Sequence, residues 1–192
     1  MKVLVLNGSP RRGGNIEILL EETLKGVQDS GAHAKVYHLN SLSLTPCQQC
    51  GGCDDSSQCV LQDDMLAIHD DIITSDRIIV ASPIFFFNVT AQTKIMIDRC
   101  QPFWSQKYVH KKPLPAGTFG RKGLLILVGG MKRGEKNEGF HCSEIVVRSF
   151  FRTVSVPKHE TLAFGDIDEK GAIRNHATAL KDAYEAGENI SR

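Results

Sequence analysis

The feature that most constrains this chain is an alternation that runs its whole length. Short, unbroken apolar runs are each followed by a longer stretch whose apolar residues recur at helical spacing. Val3–Leu6, Ile78–Ala81 and Leu124–Val128 carry no polar residue at all. A strand with apolar side chains pointing both ways needs cover on both faces, so these three read as central strands. Lys35–Leu39 and Glu160–Phe164 mix polar with apolar residues and read as edge strands. After the first run, Ile16, Leu19, Leu20, Thr23, Leu24 and Val27 repeat at helical spacing with Glu17, Glu21, Glu22 and Lys25 between them, and Gly31 closes the segment. Asp63 and Asp64 open a second helix with Met65, Ile68, Ile72 and Ile73 inward. Further helices are expected from about Ala91 to Phe103, Phe140 to Val154 and Asn175 to Ile190.

Strands that alternate with helices form a parallel sheet with helices on both faces. Placing the two polar strands at the edges gives the order 2-1-3-4-5, a three-layer doubly wound α/β arrangement of the flavodoxin-like kind. At 192 residues, with no internal repeat or low-complexity segment, the chain is expected to be a single domain over 1–192 with a cysteine-rich loop at 45–60. The proline-bearing stretch Gln101–Gly120 is its longest connection, and long connections often carry function.

Ligands of such sheets bind beyond the strand C-termini, at the switch point between strands one and three. The loops to read therefore follow Leu6, Ser82 and Val128. The first, Asn7–Asn15, joins a strand to a helix N-terminus, where free N–H groups and the helix dipole favour an anion. Ser9 and Asn15 add side-chain donors, and Arg11 or Arg12 adds charge. No Gly-Lys-Ser/Thr follows, so the loop is not a nucleotide-triphosphate P-loop. It also lacks the Gly-x-Gly-x-x-Gly of dinucleotide sites. A plain glycine-rich turn capped by Asn15 is the alternative reading. In the second loop, Pro83 stops a buried strand and Phe85, Phe86 and Phe87 follow Ile84. Three successive aromatics cannot all enter one core, so some face a cavity or partner suited to a flat ring. In the third loop, Gly129 and Gly130 permit close backbone approach.

Composition narrows the function classes. A net charge of +1 argues against a dedicated nucleic-acid or polybasic membrane surface, and no apolar run approaches the ~20 residues that span a bilayer. The opening apolar run is too short for a signal-peptide core. A cytoplasmic protein with neither nucleic acid nor membrane as partner is expected. Six cysteines in that setting point to metal or redox chemistry rather than a disulfide framework. Cys47, Cys50, Cys53 and Cys59 are spaced Cys-x2-Cys-x2-Cys-x5-Cys. Thiolates at successive x2 spacings suit the corners of one cubane, and ferredoxin runs space their first three cysteines in the same way. A structural zinc more often shows two separated pairs, which makes it the second choice as a metal, and plain thiols are the alternative to any metal. Cys100 and Cys142 fall on expected helices and read as small buried hydrophobes.

Taken together, Gly8–Asn15, Asp63-Asp64-Met65, Ser82–Phe86, Ala91–Lys94 and Ile97–Arg99 resemble the NADPH-dependent FMN reductase family over nearly the whole chain. The resemblance implies FMN, with Ser9, Arg11 and Asn15 at its phosphate, residues Pro83 to Asn88 along the isoalloxazine, and Gly129 and Gly130 nearby. Ile16 stands where the family usually has Thr, so one hydroxyl contact is missing. Phe87 and Asn88 stand where small residues are common, which crowds the ring. The cysteine loop resembles the iron–sulfur flavoproteins, a branch of the same fold, and implies one [4Fe-4S] cluster. The expected activity is an FMN-dependent oxidoreductase with NAD(P)H or a one-electron protein as donor. Alternatives are a cluster-free FMN or quinone reductase, and an electron carrier or redox sensor without its own substrate. The resemblance also implies a homodimer or homotetramer, with Trp104 and Tyr108 as a contact or a lid over the flavin.

Overall fold

The structure is a computed structural model that describes residues 1–115, 120–132 and 138–192. Its strands are β1 (Lys2–Asn7), β2 (His33–His38), β3 (Arg77–Pro83), β4 (Lys122–Val128) and β5 (Lys158–Phe164). They form one sheet in the order β2-β1-β3-β4-β5, every neighbouring pair parallel. The α-helices are α1 (Asn15–Asp29), α2 (Gly52–Ser56), α3 (Met65–Thr74), α4 (Ala91–Asp98), α5 (Gln101–Trp104), α6 (Glu138–Thr153) and α7 (Ala179–Ile190).

Register explains how one sheet feeds two cores. Tyr37, Leu6, Val80 and Leu125 lie side by side across the sheet, and the next row is Val36, Val5, Ile79 and Leu124. Side chains alternate in direction along a strand, so successive rows face opposite layers. The first row packs with Met65, Ile68, Ile72, Met96, Val147 and Phe150 of α3, α4 and α6. The second packs with Ile16, Leu19, Val27, Ala183 and Ile190 of α1 and α7. Helices α1 and α7 touch backbone to backbone. A Cβ at Gly187 would lie 2.0 Å from the Thr23 carbonyl oxygen, and one at Gly26 would lie 2.1 Å from that of Tyr184. Only glycine fits at either position.

The order and both edge strands match the sequence reading, and several boundaries move. Strand β2 begins at His33, and Leu39 opens a short 3-10 turn over Leu39–Ser41. The expected helix from Ala91 to Phe103 is interrupted at Arg99–Cys100. Pro102 lacks an N–H and so sits in the first turn of a new helix, α5, which runs on into a π-helical turn over Ser105–Val109. The long connection is thus helical in its first part, and its 116–119 stretch lies outside the described residues. The last helix starts at Ala179, because His176 Nδ1 accepts from the Thr178 and Ala179 amides and a 3-10 turn occupies Ala172–Asn175. Cys100 is buried as expected, its thiol pushed up by burial. Cys142 is exposed, contrary to expectation. The inward face of α6 runs through Phe140, Ser143, Val147, Phe150 and Phe151, and at ~100° per residue position 142 falls outside it.

Candidate functional site: two cavities on two loop systems

Beyond the C-terminal ends of the strands lies a cavity of about 370 Å³. The loop from β1 to α1 forms its first wall. Asn7 Oδ1 accepts from the Ser9 amide at 2.9 Å, and Ser9 Oγ accepts from the Arg11 amide at 3.3 Å. Gly8 donates to the Ala81 carbonyl, and its own oxygen accepts from Thr90 Oγ1 at 2.8 Å. A Cβ there would lie 1.8 Å from Thr93 Oγ1, so the loop can approach the start of α4 only through glycine. Gly14, not Asn15, is the N-cap of α1, and it supplies no side-chain cap. The Glu17 carboxylate instead accepts from the Gly13 amide.

The Asn15 carboxamide is turned elsewhere. Its Nδ2 donates to the Glu169 carbonyl at 2.9 Å, and its Oδ1 accepts from the Ile173 amide at 3.3 Å. Arg11 Nη1 reaches the Asp168 carbonyl at 3.2 Å. The loop after β5 therefore closes over the loop after β1, and Ile167 and Asp168 join the cavity wall. The terminal atoms of Lys170 lie 3.4–3.5 Å from where a Cβ on Gly13 would stand, which brings a further cation to a loop that already carries Arg11 and Arg12. Sequence reasoning missed this wall. The available signal was topological: the connection from β5 must cross to reach α7, the helix packed beside α1.

Loop two supplies the opposite wall. Ser9, Arg11, Asn15, Ile16, Pro83, Ile84, Phe85, Gly129 and Gly130, all candidates from the sequence, line this one cavity. Ile16 does so from within the core, at 2% exposure. Phe85 and Asn88 exchange both backbone hydrogen bonds, at 2.8 and 3.0 Å, around a two-residue turn. Its central residues, Phe86 and Phe87, have φ of 47° and 61°. Asn-Gly is the usual choice there, because a Cβ in the left-handed region is strained. Phe86 is wholly exposed. Phe87 lies against Gly139 on α6. The two rings border a separate cavity of about 130 Å³ with Met131 and Phe140, and Asn88 lines neither cavity.

A third cavity, of about 560 Å³, lies over the cysteine loop. Cys47, Cys50, Cys53 and Cys59 all line it, with Asp98, Arg99 and Trp104 opposite. The sequence reading had not included α2, which crosses the loop after Gly51 (φ 77°) and carries Cys53. Burial pushes the Cys53 thiol up, and so do the neighbouring Asp54, Cys47 and Cys50. The four thiols are free, and among the described residues no three Cys, His, Asp or Glu side chains converge in a metal-ligating arrangement.

The loop is tied at its neck. Asp63 Oδ2 accepts from the Thr45 amide at 2.9 Å, and Asp64 Oδ2 accepts from the Ser43 amide at 2.8 Å. Arg99 donates to the Thr45 carbonyl and to Asp63 Oδ2, both at 2.6 Å, and to Asp63 Oδ1 at 3.0 Å. The Arg99 side chain is 1% exposed and that of Asp63 is 9%. Burial alone would raise the Asp63 carboxyl. The Arg99 fork and the Thr45 and Met65 amides outweigh it and hold the group at about 2.

A five-stranded parallel sheet in this order, with a strand–loop–helix cradle at its switch point, defines the flavodoxin-like class of doubly wound proteins. The chain belongs to the NADPH-dependent FMN reductase family, whose model matches residues 1–163. An iron–sulfur flavoprotein of Archaeoglobus fulgidus is 35% identical over 140 residues, covering 73% of this chain and 60% of that one. One from Methanosarcina thermophila is 31% identical over 134 residues, covering 70% and 66%. The match thus spans under two thirds of these relatives' length. An NAD(P)H:quinone oxidoreductase from Methanothermobacter marburgensis superposes with a TM-score of 0.75 at 18% identity, covering 100% of this chain and 96% of that one. An archaeal flavodoxin gives 0.59 at 14% identity, covering 100% and 96%. At such identities the two structures show the shared fold.

Proposed function

We propose that this chain is one FMN-binding domain of an FMN-dependent oxidoreductase, passing electrons between a donor and an acceptor that are small molecules or proteins. The observation that carries the reading is the strand-end cavity, where the segments that follow β1, β3, β4 and β5 meet. FMN, when bound, supplies the hydride and one-electron chemistry, and the protein supplies binding, orientation and electrostatics. Ser9, Arg11 and the first amides of α1 face the phosphate, and Lys170 adds charge beside Gly13. Pro83–Phe85 and Gly129–Gly130 hold the ring system between two walls. No side chain is needed as a nucleophile, and NAD(P)H is the first donor to test. Denaturing the purified protein should release a flavin with the mass of FMN. Release of FAD alone, or failure of the apo-protein to take up FMN, overturns the reading.

The four cysteines fit a [4Fe-4S] cluster in donor chemistry, and all four line one cavity. Thiolates are the ligands such clusters take, and the cavity has far more room than a lone cation ringed by sulfurs at ~2.3 Å requires. The likeness to iron–sulfur flavoproteins supports the same reading. A cluster-free NAD(P)H-dependent FMN or quinone reductase is the second reading, favoured by thiols that do not converge. Anaerobic reconstitution with iron and sulfide separates the two: the first expects close to four irons per chain and the second none. Trp104, Tyr108 and Val109 form an exposed apolar group beside the cysteine cavity, which fits a homodimer or homotetramer contact and is testable by light scattering. Among the described residues, no helix is long and apolar enough to cross a membrane.

A further inference from the structure

We propose that Arg99 is the positioning residue of the thiol centre: it clasps both ends of the cysteine loop and turns its remaining guanidinium N–H groups toward the sulfurs. The inference rests on the reading of the four cysteines as cluster ligands.

The clasp is visible in the hydrogen bonds. One edge of Arg99 holds Thr45, two residues before Cys47, and Asp63, four residues after Cys59. Three of its five N–H groups are used in this way. Nε is buried and has no partner, although a buried guanidinium N–H ordinarily has one. Arg99 also lines the cavity into which Cys47, Cys50, Cys53 and Cys59 open. A cation 99% buried, with three N–H groups on the loop's neck and an unpartnered Nε beside a cavity lined by four thiols, suits an anionic sulfur centre.

Two consequences follow. The neck holds the ends of the loop close before any metal arrives, so less chain entropy is lost when the thiolates gather. An N–H pointed at a cluster sulfur, together with a buried positive charge, favours the more negative state. One-electron reduction adds negative charge, so Arg99 raises the cluster's reduction potential.

The experiment compares parent, Arg99→Lys, Arg99→Gln and, as a ligand control, Cys59→Ser. Each is reconstituted anaerobically, and folding is checked by far-UV circular dichroism and FMN content. The readouts are iron per chain, rate of iron loss to a chelator, cluster midpoint potential, and hydrogen exchange at the Thr45 amide. Arg99→Gln should lose iron at least tenfold faster, with a lower potential and faster Thr45 exchange. Arg99→Lys keeps the charge without the fork, and should recover part of the potential but little of the iron retention. A merely structural arginine would leave the potential of the remaining cluster unchanged, and that result in folded variants overturns the proposal while the cluster stands. A parent that takes up no iron, or holds zinc that iron cannot displace, overturns both. If Thr45 exchange alone then responds to Arg99→Gln, Arg99 is reduced to a loop anchor.

Discussion

The strand-end cavity is floored by the sheet and the core, through Val128 and Ile16, whereas the thiol cavity is walled by a loop that meets the body of the protein at its neck. Between Leu39 and Met65 no residue is buried. The first cavity inherits its shape from burial that also stabilises the fold. The second has no core of its own, so polar groups at its base and whatever occupies it must hold it. Loops of this kind open locally far more easily than core strands do. The difference teaches where tolerance lies: the strand-end site should resist changes at its edges, and the thiol site should depend on each of a few groups.

The largest effect expected from this contrast is all-or-none. Changing any one of Cys47, Cys50, Cys53 or Cys59 to Ser should abolish most iron uptake in anaerobic reconstitution and leave FMN content intact. Cys142→Ser, on the exposed face of α6, should change neither. Joint loss of FMN would show that the two cavities are coupled.

Next in size is Arg11→Ala. Loss of a charged hydrogen bond costs about 1.5–3 kcal/mol, or roughly one to two decades in affinity. FMN affinity should fall on that scale, riboflavin affinity should change little, and iron uptake should not change. Equal losses for FMN and riboflavin would remove Arg11 from the phosphate.

A smaller effect concerns acid. The Asp63 carboxyl is held at about 2 in the folded protein, below the ~3.9 of an unfolded chain. Below ~3.9 the unfolded state binds the proton first, so stability falls with falling pH. The contribution, roughly 2 kcal/mol, is complete above ~pH 5 and lost toward pH 2. Urea melts of parent and Asp63→Asn across that window should converge at the acid end. Curves that stay parallel would mean that the clasp does not depend on the carboxylate.

The smallest effect tests the tolerant region. Phe86 holds a left-handed φ with its ring in solvent, so Phe86→Gly should stabilise the protein by about 1 kcal/mol in denaturant melts. Destabilisation would show that the exposed ring contributes more than its backbone strain costs.

Much of the fold and part of the site were legible in the residues alone. Unbroken apolar runs against mixed ones separate central from edge strands, because burial on two faces disfavours polar side chains in mid-strand; the buried Asn7, Arg77 and Ser82 stand at strand ends. Strand order, switch point and cavity loops follow from that. Spacing also marks the four cysteines as one group, since residues three to six positions apart stay close in any compact loop. Helix ends were less legible, because Pro102 acts by lacking an N–H and His176 by accepting from two amides, neither of which periodicity reports. Cys142 was misplaced because a one- or two-residue error in helical phase swings a side chain from core to solvent.

What the sequence by itself determined is the layer plan and the chemical kinds present: a glycine-turned anion loop, an aromatic loop and a thiol loop. Only the tertiary structure decided which distant groups complete them. The segment 167–173 reaches Arg11 and Asn15 because α7 packs beside α1. Arg99 reaches Thr45 and Asp63 because α4 ends at the base of the cysteine loop. Such pairings join residues tens of positions apart or more, and no local pattern encodes them. They arise when hydrophobic layers close and bring chain ends together, leaving buried polar groups that must find partners where the fold has put them.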